Sequence, residues 1–275
     1  MNSCYIELFL AFCVLLLPFL YEWSQAFRYY LKFAIYYTWV MFFSLVLMPL
    51  MALKPGDVRN FLYASTCCNP VSSLVGLQWI VRGKEHLEVD RACIVVSNHQ
   101  SSVDILGLFN TWHIMNRCTV IAKKELFYAG PFGISSWLCG LIFIDRVHSH
   151  SARNSVNEAA EIVKQKRTKL WVFPEGTRRN TGEIHAFKKG AFHMAISAQI
   201  PILPVVFSKY YFLDSKQKRF DTGNIIMTAL PPISTESMVV NDVDKLLEQT
   251  RNIMVPVFHE TSKEVMESIG VSLQS

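Results

Sequence analysis

The chain has 275 residues, 51% of them hydrophobic and only 18% charged, with a formal net charge of +5. That charge fraction lies below the soluble average of about 25%, and a mild basic excess with no recognised nucleic-acid module argues against a nucleic-acid partner. Seven cysteines without a CxxC pair read as buried free thiols, not a disulfide framework.

In chain order, the apolar excess comes first. Leu8 to Leu20 is an uncharged run between Glu7 and Glu22, short for a bilayer span and lacking the Lys or Arg of a signal peptide's start. Residues 33–53 carry no charge and match the roughly 20 residues a span requires. Arg28 and Lys32 precede this run, and aromatic residues crowd its first half. The expectation is N-terminal membrane helices over residues 1–53, forming a hairpin at or through the membrane. A connector over 54–90 follows, with a strand near Val75–Val81. Then come a core over 91–235 and a C-terminal helix and tail over 236–275.

Within the core, strands and helices alternate. Strands are expected over 92–96, 118–122, 170–173, 200–207 and 225–230. Helices are expected from Ser101 or Ser102, either able to cap the first turn, over 151–167, and over 190–199. The C-terminal helix, 242–259, is expected to kink or break near Pro256. The alternation predicts an α/β domain: a central mixed sheet flanked by helices, with the N-terminal anchor appended.

The first chemistry-bearing run is Asn98-His99-Gln100-Ser101-Ser102-Val103-Asp104, directly after a strand. An imidazole with a carboxylate behind it is the minimal general-base pair. Five helical residues would put the two side chains about 140° apart, so they meet only if His99 precedes the helix and the chain turns back. By spacing alone, a loop histidine satisfied by ordinary polar contacts is the commoner case.

A second run, Phe173-Pro174-Glu175-Gly176-Thr177-Arg178, closes another strand. Glycine permits close backbone approach, and a hydroxyl beside a guanidinium suits a phosphate. A turn with a structural salt bridge is the alternative. Further cations stand at Lys123, at Arg146 after Ile142-Phe143-Ile144-Asp145, and at Lys188-Lys189. The Lys216-Gln217-Lys218-Arg219 cluster suits solvated loops or anionic headgroups. No Gly-x-Ser-x-Gly elbow, P-loop or dinucleotide fingerprint occurs, and the histidines lack zinc-site spacing. A base without a protein nucleophile suggests a substrate hydroxyl as the attacking group.

The ordered set of Asn98–Asp104, Phe143–Arg146, Phe173–Arg178 and Ile200–Pro204 resembles the glycerophospholipid acyltransferases, most closely the 1-acylglycerol-3-phosphate acyltransferases. Ala122–Leu126 and Phe187–Phe192 fit that subgroup. The resemblance spans about residues 30 to 260. It implies acyl-CoA as cosubstrate and lysophosphatidic acid as acceptor, with no other cofactor and no metal. It implies His99 as general base held by Asp104, with Glu175, Gly176, Thr177 and Arg178 shaping the acceptor site and Arg146 holding its phosphate. Lys123 is added as a further phosphate contact. Residence in the endoplasmic reticulum membrane is the matching expectation. Another acceptor, such as glycerol-3-phosphate or a different lysophospholipid, stays open, as do an idle adaptor and a metal-dependent lipid phosphatase.

Overall fold

The Val- and Ile-rich runs of the core assemble into one seven-stranded sheet in the computed structural model, which describes residues 2–144, 160–268 and 270. In chain order the elements begin with α1 (Asn2–Trp23), α2 (Gln25–Val46), α3 (Met48–Met51), α4 (Asn60–Cys68) and α5 (Val71–Leu74). Next are β1 (Leu77–Arg82), α6 (Lys84–Glu88), β2 (Cys93–Ser97), α7 (Asp104–Met115), β3 (Cys118–Lys123), a 3₁₀ turn over Lys124–Tyr128, α8 (Gly130–Leu138) and β4 (Ile142–Ile144). A helical segment over 160–165 is α9. Then follow β5 (Lys169–Val172), α10 (Gly190–Ala198), β6 (Ile202–Phe207), the hairpin β7 (Leu213–Asp214) and β8 (Arg219–Phe220), β9 (Gly223–Ala229), and α11 (Val243–Glu267).

The strand order is β1-β9-β6-β2-β5-β3-β4. Every pairing is parallel except β6 with β9. Strand β2 is buried at every position, as expected of a parallel strand covered on both faces. Its side chains alternate: Cys93 and Val95 join a core with α2, α4 and α7, while Ile94 and Val96 join one with α10 and α11. Cys68, Cys93, Cys118 and Cys139 are buried free thiols, and burial pushes the Cys93 thiol up to about 11.

The strand expected near Val75–Val81 forms as Leu77–Arg82, one of the sheet's two edge strands, paired with β9. Helix α11 does not break near Pro256 but continues through it. Proline is exposed there, so the carbonyl left unpaired one turn back, on exposed Asn252, meets water. The buried stripe Val243, Leu246, Thr250, Met254, Phe258 and Val265 holds both halves to the sheet.

The N-terminal anchor differs most. The uncharged run over 33–53 is divided between α2, which starts early enough to contain Arg28 and Lys32, and the short α3, opened by Pro49. One face of α2 (Lys32, Tyr36, Val40, Ser44) is buried against the domain. The other exposes Tyr30, Tyr37, Phe42, Leu45 and Val46. Among the described residues no helix is long and apolar enough to cross a membrane.

Candidate active site

Strands β2 and β5 are parallel neighbours, so the loops that leave their C-terminal ends emerge side by side, the usual ligand position in an open α/β sheet. The loop after β2 brings His99 Nδ1 to 2.6 Å from Asp104 Oδ2. Asp104 is fully buried, whereas the His99 side chain is 14% exposed. The same carboxylate accepts the backbone N–H groups of Gln100 at 2.9 Å and Ser101 at 3.2 Å. Asp104, not Ser101 or Ser102, therefore occupies the amides at this turn; helix α7 has no side-chain cap, and Ser101 Oγ accepts only the Val103 N–H, at 3.3 Å. With Nδ1 engaged, Nε2 is the ring nitrogen left to exchange a proton.

The loop after β5 supports the imidazole. The Phe173 ring stacks on it with centroids 4.0 Å apart and planes 19° from parallel. Arg179 donates its N–H to the His99 carbonyl at 2.9 Å. Glu175 is buried, and its oxygens accept the backbone N–H groups of His99 and His185 at 2.8 and 3.3 Å. Burial pushes the Glu175 carboxyl above its ordinary value, against the lowering effect of those two N–H groups. Glu175, expected to shape the acceptor site, braces the two loops against each other through these bonds and is not among the residues that line the cavity in front of His99.

In front of His99 lies a cavity of about 510 Å³, a volume typical of small-molecule sites. Its mouth carries Lys123, Glu125, Gly176, Thr177 and Arg178, and its depth is apolar, with Ile105, Phe109, Trp112, Val120, Leu126, Phe132 and Leu141. Thr177, Arg178 and Lys123 are exposed at that mouth. Gly176 adopts φ +73°, and an added Cβ would meet Lys188 Cε at 2.8 Å, so glycine lets the lysine cross the loop. Lys189 points elsewhere, pairing with Asp244 at 2.7 Å. Arg146 lies outside the described residues, as do Asp145 and most of the helix expected over 151–167.

The sequence reading missed the residues that lock the first loop to the sheet. Asn98 exchanges two hydrogen bonds with the backbone of Phe207, at 2.9 and 2.8 Å. Gln100 donates to the Ser208 carbonyl at 2.9 Å and accepts the Tyr210 N–H at 3.1 Å. Both flank His99 in the quoted motif, but their partners lie over a hundred residues away and leave no local signal. The phenol of Tyr210, fully buried, faces Asp104; burial first, then that negative charge, raises its pKa.

Comparison with known proteins identifies the family. An acyltransferase family model matches residues 78–208. The 1-acyl-sn-glycerol-3-phosphate acyltransferase alpha of Homo sapiens is 38% identical over 90% of this chain and 88% of its own length. The chain belongs to the 1-acyl-sn-glycerol-3-phosphate acyltransferase family. Another family member, the beta protein of Homo sapiens, is 35% identical over 94% of each chain. The crystal structure of the acyltransferase PlsC from Thermotoga maritima superposes with a TM-score of 0.66 at 21% identity, covering 85% of this chain and 98% of that one. That likeness establishes the α/β fold.

Proposed function

We propose that this family member transfers an acyl group from acyl-CoA to the free sn-2 hydroxyl of 1-acylglycerol-3-phosphate, giving phosphatidic acid and CoA. The observation that carries the reading is the His99–Asp104 pair at the mouth of an apolar cavity with Lys123 and Arg178 beside it. The acceptor hydroxyl gives its proton to His99 Nε2 as its oxygen attacks the thioester carbonyl. Asp104 holds the tautomer and offsets the charge of the imidazolium. The tetrahedral intermediate then expels the CoA sulfur, which takes the proton back from Nε2. Arg178, Lys123 and Arg146 hold the acceptor phosphate, and the apolar depth takes an acyl chain.

The exposed apolar residues of α1 and α2 favour a seat on a membrane surface, and residence at the endoplasmic reticulum is part of the same proposal. Leu15, Leu17, Phe19, Leu20 and Trp23 on α1 are also exposed, and amphipathic helices such as α2 bind the interface without spanning it.

The test is purified protein with labelled acyl-CoA and a panel of acceptors: lysophosphatidic acid, glycerol-3-phosphate and other lysophospholipids. Lysophosphatidic acid should be used best, and His99→Ala should lose transfer by a factor of about 10² to 10⁴ while still folding and binding vesicles. Near-normal transfer by that variant would remove the base assignment.

A further inference from the structure

The dyad closes across five residues, so its geometry depends on the turn over Gln100–Val103. Asp104 Oδ2 holds the Gln100 N–H at 2.9 Å, but the backbone bonds accepted by the two serines are long: Asp104 N to the Ser101 carbonyl is 3.4 Å, and Ile105 N to the Ser102 carbonyl is 3.3 Å. The short bonds to Ser102 come from outside the turn. Tyr36 donates its hydroxyl to the Ser102 carbonyl at 2.9 Å, and the Tyr37 hydroxyl pairs with Ser102 Oγ at 2.9 Å. Both tyrosines stand on α2, over sixty residues earlier, and their rings stack on each other with centroids 4.7 Å apart. Tyr36 is buried and lies within reach of the charges of Arg178 and Asp104.

We propose that Tyr36 and Tyr37 are positioning residues for acyl transfer: by gripping Ser102 from both its backbone and its side chain, they set the turn that carries His99 onto Asp104. Helix α2 is thereby a working part of the site as well as the element with the exposed apolar face. The assignment rests on the proposed reaction. It also explains how helix α7 starts with no side-chain cap and still places Asp104, because the tyrosines supply the restraint a cap would give.

The test uses the full chain with acyl-CoA and lysophosphatidic acid, comparing Tyr36→Phe, Tyr37→Phe, Ser102→Ala and the Tyr37→Phe/Ser102→Ala double variant. Phenylalanine keeps the stacked rings and removes one hydroxyl. Each single variant should lose about fivefold or more in kcat, the worth of one hydrogen bond, with the acyl-CoA KM and the melting temperature nearly unchanged. The double variant should be no slower than Ser102→Ala, because both changes remove the same bond. Unchanged kcat in both tyrosine variants, fully additive losses in the double variant, or losses that track a falling melting temperature would overturn the proposal. A wild-type protein that transfers no acyl group to any acceptor would instead remove the proposed reaction.

Discussion

Glu175 Oε1 accepts the backbone N–H of His99 at 2.8 Å, so the acid of one motif sets the height of the base in the other. Glutamine at 175 keeps the volume but turns an amide N–H₂ toward one of two N–H donors. Glu175→Gln is expected to lower kcat by roughly tenfold or more, the scale of a lost hydrogen bond to a charged group, with little change in either KM.

The same residue gives a pH signature in stability. Burial raises its pKa in the folded chain above the ordinary value of 4.5, so the folded state binds more protons than the unfolded state just above that pH. Stability contributed by this group therefore falls as pH rises from 4.5 through the raised folded value. Glutamine cannot titrate, so the melting-temperature difference should move in favour of Glu175→Gln across that window. A difference that stays flat with pH would contradict the assignment.

Asp104→Asn keeps the side-chain shape and removes the charge that fixes the His99 tautomer. On the proposed mechanism kcat falls by about 10³ to 10⁴, measured with both substrates saturating. A loss under about tenfold would mean that Asp104 only anchors the turn through the Gln100 and Ser101 amides.

Arg178 and Lys123 are exposed at the cavity mouth, and neither braces the dyad. Arg178→Ala should raise the KM for lysophosphatidic acid about tenfold, more at low salt than at high salt, with the acyl-CoA KM steady. Lys123→Ala should do the same more weakly, and Arg146→Ala belongs in the same assay. An acceptor KM unaffected by Arg178→Ala would take that residue out of phosphate binding.

Phe61, Phe109, Phe132 and Ser136 line both the main cavity and a second void of about 30 Å³ beside α2. They form a partition. Phe132 is half-buried at the start of α8, so Phe132→Ala should join the two spaces and shift preference toward longer acyl-CoA. Each added methylene accommodated is worth about tenfold or more in selectivity. Competition between acyl-CoA species of different length reads this directly, and an unchanged ranking would refute it.

The sheet was legible because its strands are short apolar runs closed by polar motifs, and Ile94 and Val96 need a core on one face as much as Cys93 and Val95 need one on the other. His99, Asp104 and the Glu175–Arg178 loop were legible from order and type. Their division of labour was not. Glu175 looks like a ligand contact in sequence, yet its partners are backbone N–H groups, which any residue supplies. Residues 33–53 misled for a related reason: an uncharged run records hydrophobicity but not what it packs against, and half of α2 is spent on the domain itself. Tyr36 and Tyr37 read as interfacial aromatics, and nothing near them in sequence points to Ser102.

Between β2 and β5, the two neighbours that carry the reacting groups, the chain makes a long excursion through β3, the 3₁₀ turn and α8. Half of the cavity lining, from Val120 to Leu141, comes from that excursion. Chemistry and selectivity are therefore written on separable stretches of the chain. Exchanging residues 118–141 with those of a relative should graft that relative's substrate range onto this scaffold and leave its reaction in place.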